Sequence, residues 1–565
     1  MLWKALPTPE TSAVQELSNL LNVPEVVAIL LVQRGITTFD QAKAYFRPDW
    51  DALHDPFLMP DMLKAVQRIQ KAINGQEAVM VFGDYDVDGT TAVALMTSFL
   101  ENHLERVIPY IPDRYKEGYG ISMAGIDHAN AEGIQLIVAL DCGIKAHDQI
   151  AYANTLGIDF IICDHHLPDA ILPKAAAVLD PKRPDCEYPY KELCGCGIGF
   201  KLIQALQYFL KLPTTDLAPY LDLVATAIAA DIVPMTGENR LLTYFGIEQM
   251  RKKARPGFQF FITNLKKPVR VSDLVFVIAP RINAAGRMNQ GINAVELLLS
   301  KSQEEALPLA RSIEFYNTER RSTDERITKE ALQQIELTEA QFKSSTVVYH
   351  PSWHKGVIGI VASRLIEQYY RPTVVLTQSE TVLAGSVRSV KGFDVYQALE
   401  ACKEHMIQFG GHKYAAGLTL KEEQLEAFRA AFEQAVESRI LDSQRSPVIL
   451  YDAVLALDQI TPKLYRLLKQ MAPFGPKNMK PVFVTHNCTD KGGSRIVGKE
   501  NEHLKLEIID STATAIQGIG FGLGQHYTKV KQKLPFSILY TLEENEFNGL
   551  KSLQLVVKDL LFKTI

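Results

Sequence analysis

The chain has 565 residues, of which 47% are hydrophobic and 22% are charged. This is an ordinary globular composition, and it excludes a largely disordered chain. At about 100–200 residues per domain, the length predicts three or four domains. Lys and Arg number 60 and Asp and Glu 65, so the net charge is −5 and no overall positive field indicates a nucleic-acid partner.

The sequence carries no sign of export or of membrane insertion. The first ten residues, MLWKALPTPE, lack the apolar core of a signal peptide. No stretch approaches the roughly 18 uncharged apolar residues that cross a bilayer. Seven scattered cysteines, an odd number, do not form a disulfide framework. We therefore expect a cytoplasmic protein without a membrane partner.

The first elements are a helical region, residues 1–70, predicted as an N-terminal cap, and an α/β domain, residues 71–300. In this domain short apolar runs alternate with amphipathic segments, which predicts strands at 78–82, 107–111, 135–140 and 160–163 and helices at 90–104, 121–133 and 144–156. Continuous apolar strands that alternate with helices indicate a parallel sheet covered on both faces. Ligands of such sheets bind beyond the carboxyl ends of the strands.

The rest of the chain predicts a helix and two further domains. Residues 301–340 are highly charged with apolar positions near helical spacing, which indicates one long connecting helix or a broken pair. Residues 341–445 form a second α/β lobe. Residues 446–565 alternate with period two and resemble an OB-type β-barrel that binds nucleic acid. The predicted fold class is therefore α/β, with two α/β lobes joined by a long helix and a C-terminal OB-like β-barrel.

Acidic side chains follow the predicted strands where the strands end. The acids and histidines at these ends are Asp84, Asp86, Asp88, Asp141, Asp164, His165 and His166, and a helical run, LVATAIAA, ends at Asp231. Carboxylates packed at one edge of a sheet without a cation would repel one another strongly. We therefore predict a site for divalent metal ions, two in number.

The donor set indicates which metal binds and which reaction follows. Carboxylates with an occasional imidazole suit Mn²⁺ or Mg²⁺, whereas structural Zn²⁺ prefers thiolates and imidazoles. Two such ions about 3.5–4 Å apart clamp the attacking and leaving oxygens of a phosphoryl centre. The predicted reaction class is metal-assisted hydrolysis of a phosphoester or phosphoanhydride.

Three other interpretations fit the sequence less well. An EF-hand loop opening at Asp84 would need Glu at its twelfth position, where Leu95 stands. The phosphate-loop spacing at 493–499 is followed by Glu500 instead of the Ser or Thr that binds a metal. Turn and cap residues would explain any one of the acids, but acids at four separate element ends argue against that explanation for the set.

The order and spacing of these motifs resemble those of the DHH phosphoesterase superfamily. The likeness is carried by DYDVDG, Asp141, the DHH at 164–166 and the Asp231 segment. Later motifs are similar to those of its single-strand-specific DNA exonucleases: PRINAAGR at 280–287, WHKGVIG at 353–359, GSVRS at 385–389 and GGHKYAAG at 410–417. The resemblance runs from near residue 1 to the C-terminus. It identifies residues 71–300 as a DHH catalytic domain and 341–445 as a DHH-associated, substrate-binding domain.

The resemblance implies a function and partners. The implied function is a single-stranded-DNA-specific 5′→3′ exonuclease that releases 5′-mononucleotides by two-metal-ion phosphodiester hydrolysis in DNA repair and recombination. A helicase and a single-strand-binding protein would accompany it, and the enzyme would be a monomer. Two alternatives stay open: a hydrolase of short oligonucleotides or other small phosphate substrates, and a non-catalytic single-strand-binding relative that has lost the metals.

The resemblance also implies roles at the metal site, residue by residue. The implied metal ligands are Asp86, Asp88, Asp141, His165 and Asp231. Asp141 would bridge the two ions, and Asp84 would be a ligand or a group that orients one. His166 would contact the scissile phosphate or assist the leaving oxygen. The chain departs from the shorter phosphatase members at Phe82, where those carry a histidine.

Binding of a terminal phosphate needs cationic and hydroxyl donors. Arg offers a bidentate fork and Ser a hydroxyl, so we expect Arg114, Ser386 and Arg388 to hold the 5′ phosphate. His412 follows two glycines that allow close backbone approach, and it is either a further substrate contact or a turn residue.

Basic charge is concentrated in one stretch, where nine Lys or Arg accompany one acid between residues 251 and 290. Such a stretch is either a solvated face or a DNA-binding one. In this stretch we expect Arg281, Asn283 and Arg287 to grip backbone phosphates. Outside it, Trp353 is either a base-stacking residue or a core residue.

Overall fold

The computed structural model describes residues 2–211, 214–288, 290–338, 340–547 and 549–562. They form two compact units. The first consists of His54–Val233 and Phe245–Pro447, and the second of Met1–Leu53, Pro234–Tyr244 and Val448–Ile565. All of the acidic motifs belong to the first unit.

The sheet of the first unit that carries the acidic motifs has five parallel strands. In spatial order they are Val107–Tyr110, Val79–Gly83, Leu136–Leu140, Asp159–Cys163 and Ala177–Leu179. The apolar runs are buried on both faces, and the side chains of Phe82 and Phe160 pack in one core with helices Met123–Ala131 and His147–Thr155. The predicted parallel sheet is confirmed. The strand Ala177–Leu179 has only three residues, and the sequence analysis did not predict it.

The remaining helices between His54 and the connecting helix belong to the first unit, except that Gly237–Lys253 begins in the second unit and ends in the first. They are Met62–Gly75, Val87–Leu100, Gly195–Leu210, Leu221–Ala230, Gly237–Lys253, Pro256–Ile262, Val271–Asp273, Ala279–Met288 and Ile292–Leu299. A π-helical turn, Leu274–Ile278, immediately precedes Ala279–Met288. This turn therefore introduces the helix that carries the PRINAAGR motif.

The connecting helix is a single element, Gln303–Leu337, of 35 residues. It starts where the hydroxyl of Ser302 accepts a hydrogen bond from the backbone N–H of Glu305. Near its middle the fully buried Asp324 lies 2.7 Å from a guanidinium nitrogen of Arg364 in the associated lobe. A buried carboxylate without a partner would be costly, so this ion pair fixes the helix to that lobe.

The associated lobe is built on a mixed sheet of five strands. In spatial order they are Gln408–His412, Ala415–Leu420, Val382–Arg388, Thr373–Ser379 and Thr346–Tyr349. Only the last pair is parallel. Helices Ile358–Gln368, Val395–Glu400 and Leu425–Glu437 accompany the sheet. Two buried rings of the last helix, Phe428 and Phe432, stack with centroids 5.7 Å apart in the core of this lobe.

The second unit contains a closed β-barrel. Its barrel strands are Phe483–Asp490, Phe536–Phe547, Leu550–Phe562, Ala515–Gly520 and His503–Ile509, each paired with the next, and a pairing of the last with the first closes the ring. Strands Ala453–Val454 and Arg495–Val497 extend it, and Leu2–Ala5 pairs in parallel with Val448–Tyr451. The helices of this unit are Thr11–Leu21, Glu25–Gln33, Phe39–Phe46, Pro462–Gln470 and Tyr527–Lys531. The predicted C-terminal barrel is confirmed.

The first 53 residues share a core with the barrel, because Val27 and Leu30 of the second helix belong to the same buried cluster as Phe483 and Tyr540.

No single helix among the described residues is both long and apolar enough to span a membrane. Thr11–Leu21 and Glu25–Gln33 reach the required length and composition only as a pair bent by 116°.

Trp353 is a core residue of the associated lobe. It is 3% exposed, and its indole N–H donates to a carboxylate oxygen of Glu330 on the connecting helix at 2.8 Å. Its ring packs among Val357, Val361 and Val375. The core interpretation of this residue is therefore confirmed, and its ring is not available for stacking on a base.

Replacing Trp353 with Phe should destabilise this lobe without altering the metal site. The variant loses the bond to Glu330 and leaves a small cavity, and we expect a loss of about 1–3 kcal/mol. Urea unfolding followed by circular dichroism measures the change. Arg326→Lys, which keeps an exposed ion pair with Glu330 on the same helix, is the control. A Trp353→Phe protein as stable as the wild type would contradict the core assignment.

Candidate active site

The acidic side chains meet at the carboxyl ends of the central strands. Asp84 follows Val79–Gly83, and Asp141 follows Leu136–Leu140. Asp231 stands at the C-terminal end of helix Leu221–Ala230. Because neighbouring parallel strands end at the same edge, the fold brings together groups that lie far apart in sequence.

The candidate ligand atoms form three overlapping groups, and within each group the atoms lie within 4.8 Å of one another. Their members are Asp84, Asp86 and Asp141; Asp88, His165 and Asp231; and Asp141, His165 and His166. The Nε2 atom of His165 lies 3.1 Å from Oδ1 of Asp141 and 3.7 Å from Oδ2 of Asp231. The structure therefore brings together every residue that the sequence analysis proposed as a metal ligand or catalytic group.

Several buried polar atoms of this cluster lack a hydrogen-bond partner among the described residues. They are Oδ1 of Asp84, Oδ1 of Asp141, Nδ1 of His165 and Oδ2 of Asp231. An unsatisfied buried polar atom is costly, and most native proteins avoid it. Carboxylate and imidazole atoms that converge without donors fit divalent cations such as Mn²⁺ or Mg²⁺.

Burial shifts the pKa values of these groups. It raises the pKa of Asp84 to about 7, that of Asp88 to about 6 and that of Asp231 to about 8, and neighbouring carboxylates add to each rise. The pKa of Asp141 is also raised, by its burial and by the surrounding carboxylates. Burial lowers the pKa of His165 to about 3, so its imidazole is neutral and able to ligate a metal at neutral pH.

Backbone geometry around Asp141 keeps its carboxylate in place. Asp141 has φ +60°, in the left-handed region that Asp tolerates better than most residues. A Cβ atom on Gly195 would lie 2.5 Å from the Cβ of Asp141, so this glycine is required. The backbone N–H groups of Gly195 and Cys196 donate to the two oxygens of Asp88 at 2.6 and 2.8 Å. The start of helix Gly195–Leu210 thus orients two of the site's carboxylates.

His166 is held by two residues that the sequence analysis did not assign. Oδ1 of Asp164 lies 2.7 Å from Nδ1 of His166, and this hydrogen bond raises the pKa of the imidazole. The hydroxyl of Tyr119 lies 3.3 Å from Nε2. Asp164 could have been found as the first residue of the DHH motif, whereas Tyr119 lies in a loop whose position the sequence does not indicate.

Asp180 is a further acid at this edge of the sheet, and the sequence analysis missed it. It follows the short strand Ala177–Leu179 and is fully buried, with Oδ2 unpartnered among the described residues. Burial raises its pKa to about 7, and the charge of Asp164 adds to the rise. The signal was the same strand-end position, but the strand was too short to recognise.

A group of guanidinium ions lies beside the acids. The guanidinium of Arg114 stacks 4.8 Å from the ring centre of Tyr85, and its charge opposes the rise in the pKa of Asp84. Burial lowers the pKa of Arg287 to about 10, and the charges of Arg114, Arg320 and Arg388 lower it further. Three guanidinium ions therefore act on Arg287, which favours an anion beside it.

Arg388 and Ser386 form one wall of this positive region. A guanidinium nitrogen of Arg388 donates to the Ser386 hydroxyl at 3.2 Å. A Cβ atom on Gly359 would lie 2.9 Å from that hydroxyl and 3.1 Å from the guanidinium. Gly359 belongs to the first turn of helix Ile358–Gln368, in which the N–H groups of Ile358 and Ile360 already donate to backbone oxygens of His354 and Val357. The structure thus places two of the three predicted phosphate-binding residues at a helix N-terminus.

Arg287 joins the two lobes of this unit. It donates to the backbone oxygen of Gly356 at 3.0 Å, and its own backbone oxygen accepts a hydrogen bond from Tyr115 at 2.7 Å. His412 is exposed, and its strand position pairs with Ala415, which in turn pairs with Arg388 on the next strand. His412 therefore lies at the same end of the associated-lobe sheet as Arg388.

The basic stretch is not one continuous face. Arg281 is bound to Glu314, and Arg255 to the buried Asp222. Arg251 donates to the backbone oxygen of Val269. Asn283 is partly exposed on helix Ala279–Met288. Roles of Arg281, Asn283 and Arg287 in DNA binding stay predictions, and of these three Arg287 lies with the other guanidinium ions.

Comparisons with known proteins agree with this architecture. Family models match at residues 78–228 (DHH family, N-terminal domain), 341–438 (DHHA1 domain) and 451–559 (RecJ OB domain). The single-stranded-DNA-specific exonuclease RecJ of Bacillus subtilis is 35% identical over 564 residues, which cover 99% of this chain and 70% of that protein. RecJ of Escherichia coli is 33% identical, with 88% and 89% covered.

Solved structures agree as well. A crystal structure of RecJ from Thermus thermophilus in complex with Mn²⁺ superposes with a TM-score of 0.86 at 26% identity, and the match covers 100% of this chain and 80% of that one. A second structure, of exonuclease RecJ bound to manganese, gives a TM-score of 0.61 at 30% identity and covers 70% and 98%.

Metal affinity should rise with pH. Because the carboxyls of Asp88, Asp84 and Asp231 titrate at about 6, 7 and 8, a cation must displace their protons at pH 6 but not above pH 8. We expect Mn²⁺ affinity to increase by up to about tenfold per pH unit for each proton that binding displaces. Calorimetry at pH 6, 7 and 8 in two buffers of different ionisation enthalpy measures affinity and proton release. An affinity independent of pH would contradict this electrostatic account.

The same pKa shifts set the stability of the metal-free protein. Unfolded Asp titrates at about 3.9, so between about pH 4 and pH 8 the folded state binds more protons than the unfolded one. The free energy of unfolding therefore falls as the pH rises through this window. Asp231→Asn should flatten that dependence, which thermal unfolding without metal tests.

Proposed function

Because the chain belongs to the RecJ family of DHH phosphoesterases, we propose that it is a metal-dependent, single-stranded-DNA-specific exonuclease that acts in DNA repair and recombination. We further propose that it degrades from the 5′ end and releases 5′-mononucleotides. The observation that carries this proposal is the juxtaposition of a carboxylate cluster and a guanidinium cluster in one unit. The carboxylate cluster is suited to bind cations at a scissile phosphodiester, and the guanidinium cluster is suited to bind a terminal phosphate.

The metal-binding residues of this proposal are Asp84, Asp86, Asp88, Asp141, His165 and Asp231. Mn²⁺ or Mg²⁺ bound there supplies the positive charge that polarises the phosphodiester and lowers the pKa of the attacking water. Support comes from the unpartnered atoms of Asp84, Asp141 and Asp231 and from the neutral His165. Asp141, which contributes to two of the three groups, is the residue best placed to serve both ions.

His166 has the position of a proton donor. Asp164 accepts from Nδ1, which leaves Nε2 directed at Tyr119 and at the site. Because the bond to Asp164 raises its pKa, the imidazole is more readily protonated near neutral pH and can give its Nε2 proton to the leaving oxygen. Asp164 is then a positioning residue, since it acts through His166.

The proposed 5′-phosphate site consists of Arg114, Ser386 and Arg388, with the backbone of Gly359 beside them. Arg388 can offer two N–H groups to one phosphate, and Gly359 lets the backbone approach. A terminal monoester carries about one more negative charge than an internal diester at neutral pH, so the two guanidinium ions of this site favour the end of the strand over its interior.

An enzyme confined to single strands depends on other activities that expose them, and a helicase is the class of enzyme that does so. That a single-strand-binding protein accompanies it and that the enzyme is a monomer stay predictions. We place the protein in the cytoplasm, which is supported by its DNA substrate and by seven cysteines that are all free and buried.

Polarity is tested with single-stranded DNA labelled by ³²P at its 5′ phosphate. With Mn²⁺, the wild type should release labelled mononucleotide before any shorter labelled fragment accumulates. Asp141→Ala should bind the strand with little change but cleave it at least about 10³-fold more slowly, because the remaining carboxylates cannot hold the cations. Label retained in long fragments would contradict the polarity, and an active Asp141→Ala would contradict the metal assignment.

The phosphate site is tested by Arg388→Lys with 5′-phosphorylated and 5′-hydroxyl strands. Lys loses the bidentate fork, so we expect KM for the phosphorylated strand to rise about tenfold, and KM for the hydroxyl strand to change little. Arg429→Lys, in an ion pair with Glu426 of the same lobe, is the control and should behave as wild type. Equal effects on both strands would contradict a 5′-phosphate role for Arg388.

A further inference from the structure

Two exposed apolar side chains border the metal-ligand cluster. Leu167 is 71% exposed and lies two residues after His165, and Ile232 is 70% exposed and directly follows Asp231. His165 and Asp231 approach to 3.7 Å, so the two segments meet at the acid cluster. Neither apolar side chain is explained by burial in the fold.

The backbone of Ile232 is unusual as well. Its φ is +60°, in the left-handed region. A β-branched residue is rarely found there, because its Cβ comes too close to the backbone carbonyl, whereas glycine or asparagine adopts the conformation readily. The backbone conformation of Ile232 is therefore strained, and its exposed side chain contributes no burial energy that would offset the strain. Such an outlier beside a reaction centre points to a role for the side chain itself.

The substrate supplies a partner for these side chains. Each phosphodiester of a single strand is flanked by nucleobases whose apolar faces are unstacked and open to contact. The metal ligands and the guanidinium ions can hold phosphates but offer no apolar surface. We propose that Ile232 and Leu167 contact the nucleobase beside the scissile phosphate and so hold the strand in register. This inference rests on the proposed function and adds a base contact to it.

The contact also bears on substrate class. A small phosphate substrate without a base would gain nothing from an apolar edge at the metal site. A nucleobase would gain apolar contact whichever base it is, because every base has an apolar face. The two residues therefore favour oligonucleotides over other phosphoesters without imposing a sequence preference.

The decisive variant is Ile232→Gly, which removes the side chain and relieves the backbone. Its melting temperature should be no lower than that of the wild type. The matched control is Glu380→Gly, also a left-handed and exposed residue (φ +55°), in the hairpin turn at the far end of the strand from Arg388. Ile232→Val keeps an apolar side chain, so its KM should lie much closer to that of the wild type than to that of Ile232→Gly. Leu167→Ser tests the second contact independently.

Substrates are 5′-phosphorylated single strands that are intact or carry one abasic residue at the first, second or third position. On the intact strand, Ile232→Gly should raise KM about tenfold with kcat changed less than about twofold, since the contact orients the strand but takes no part in bond cleavage. At one of these three positions, the position whose base contacts Ile232, an abasic residue should raise the KM of the wild type by a similar factor. On that strand, wild type and Ile232→Gly should have the same KM.

Equal KM values for wild type and Ile232→Gly on intact DNA would overturn the proposed base contact. The same result is expected if these apolar side chains bind a protein partner instead. An unchanged penalty of Ile232→Gly on every abasic strand would also overturn it. Hydrolysis of the intact strand by the wild type is a separate check of the proposed function, so the two failures are distinguishable.

Discussion

Mutual repulsion among carboxylates at the end of the catalytic sheet is the constraint on which this site depends. Two unit charges 4 Å apart interact by about 4 kcal/mol at an effective dielectric constant near 20. The cluster contains several such pairs, so without cations it can persist only with some carboxyls protonated, as the raised pKa values of Asp84, Asp141 and Asp231 indicate. The surrounding fold resists the alternative, in which the side chains turn apart. Gly195 fixes Asp141 by close contact, and two backbone amides fix Asp88.

The guanidinium ions present the same problem with the opposite sign. The charge of Arg114 lowers the pKa of both Arg287 and Arg388, and the charge of Arg388 lowers that of Arg287, so their arrangement is also unfavourable without a counter-ion. Cations at the acids relieve the repulsion among the carboxylates, and phosphates at the arginines relieve the repulsion among the guanidinium ions. A nucleic-acid backbone is a ligand that brings successive phosphates to the metal site and to the arginines. Arg287 donates to Gly356 of the other lobe and accepts from Tyr115 of its own lobe, so phosphate binding is coupled to how the two lobes meet.

The sequence predicted the catalytic sheet well because its strands are continuous apolar runs that end in acids. The candidate ligands at the strand ends also lie together, since strand-end positions in a parallel sheet converge whatever their separation in sequence. The sequence did not reveal Asp180, whose strand of three residues is too short for a pattern. Nor did it indicate Tyr119, whose position depends on the path of a loop. Charge along the sequence was a poor guide to charge in space: Arg255 and Arg281 lie in the basic stretch, yet both are bound to acids of the protein.

Two left-handed residues at this site differ in what explains them. At Asp141 the conformation turns a carboxylate toward the cluster, and Asp adopts it at a modest cost. At Ile232 the same backbone costs roughly 1–2 kcal/mol more than it would for glycine, and the exposed side chain recovers none of it within the protein. Charge relief by cations and phosphates accounts for the acids and the arginines but not for an exposed apolar residue next to Asp231. A ligand that alternates anions with apolar faces accounts for all three, and single-stranded DNA has that alternation.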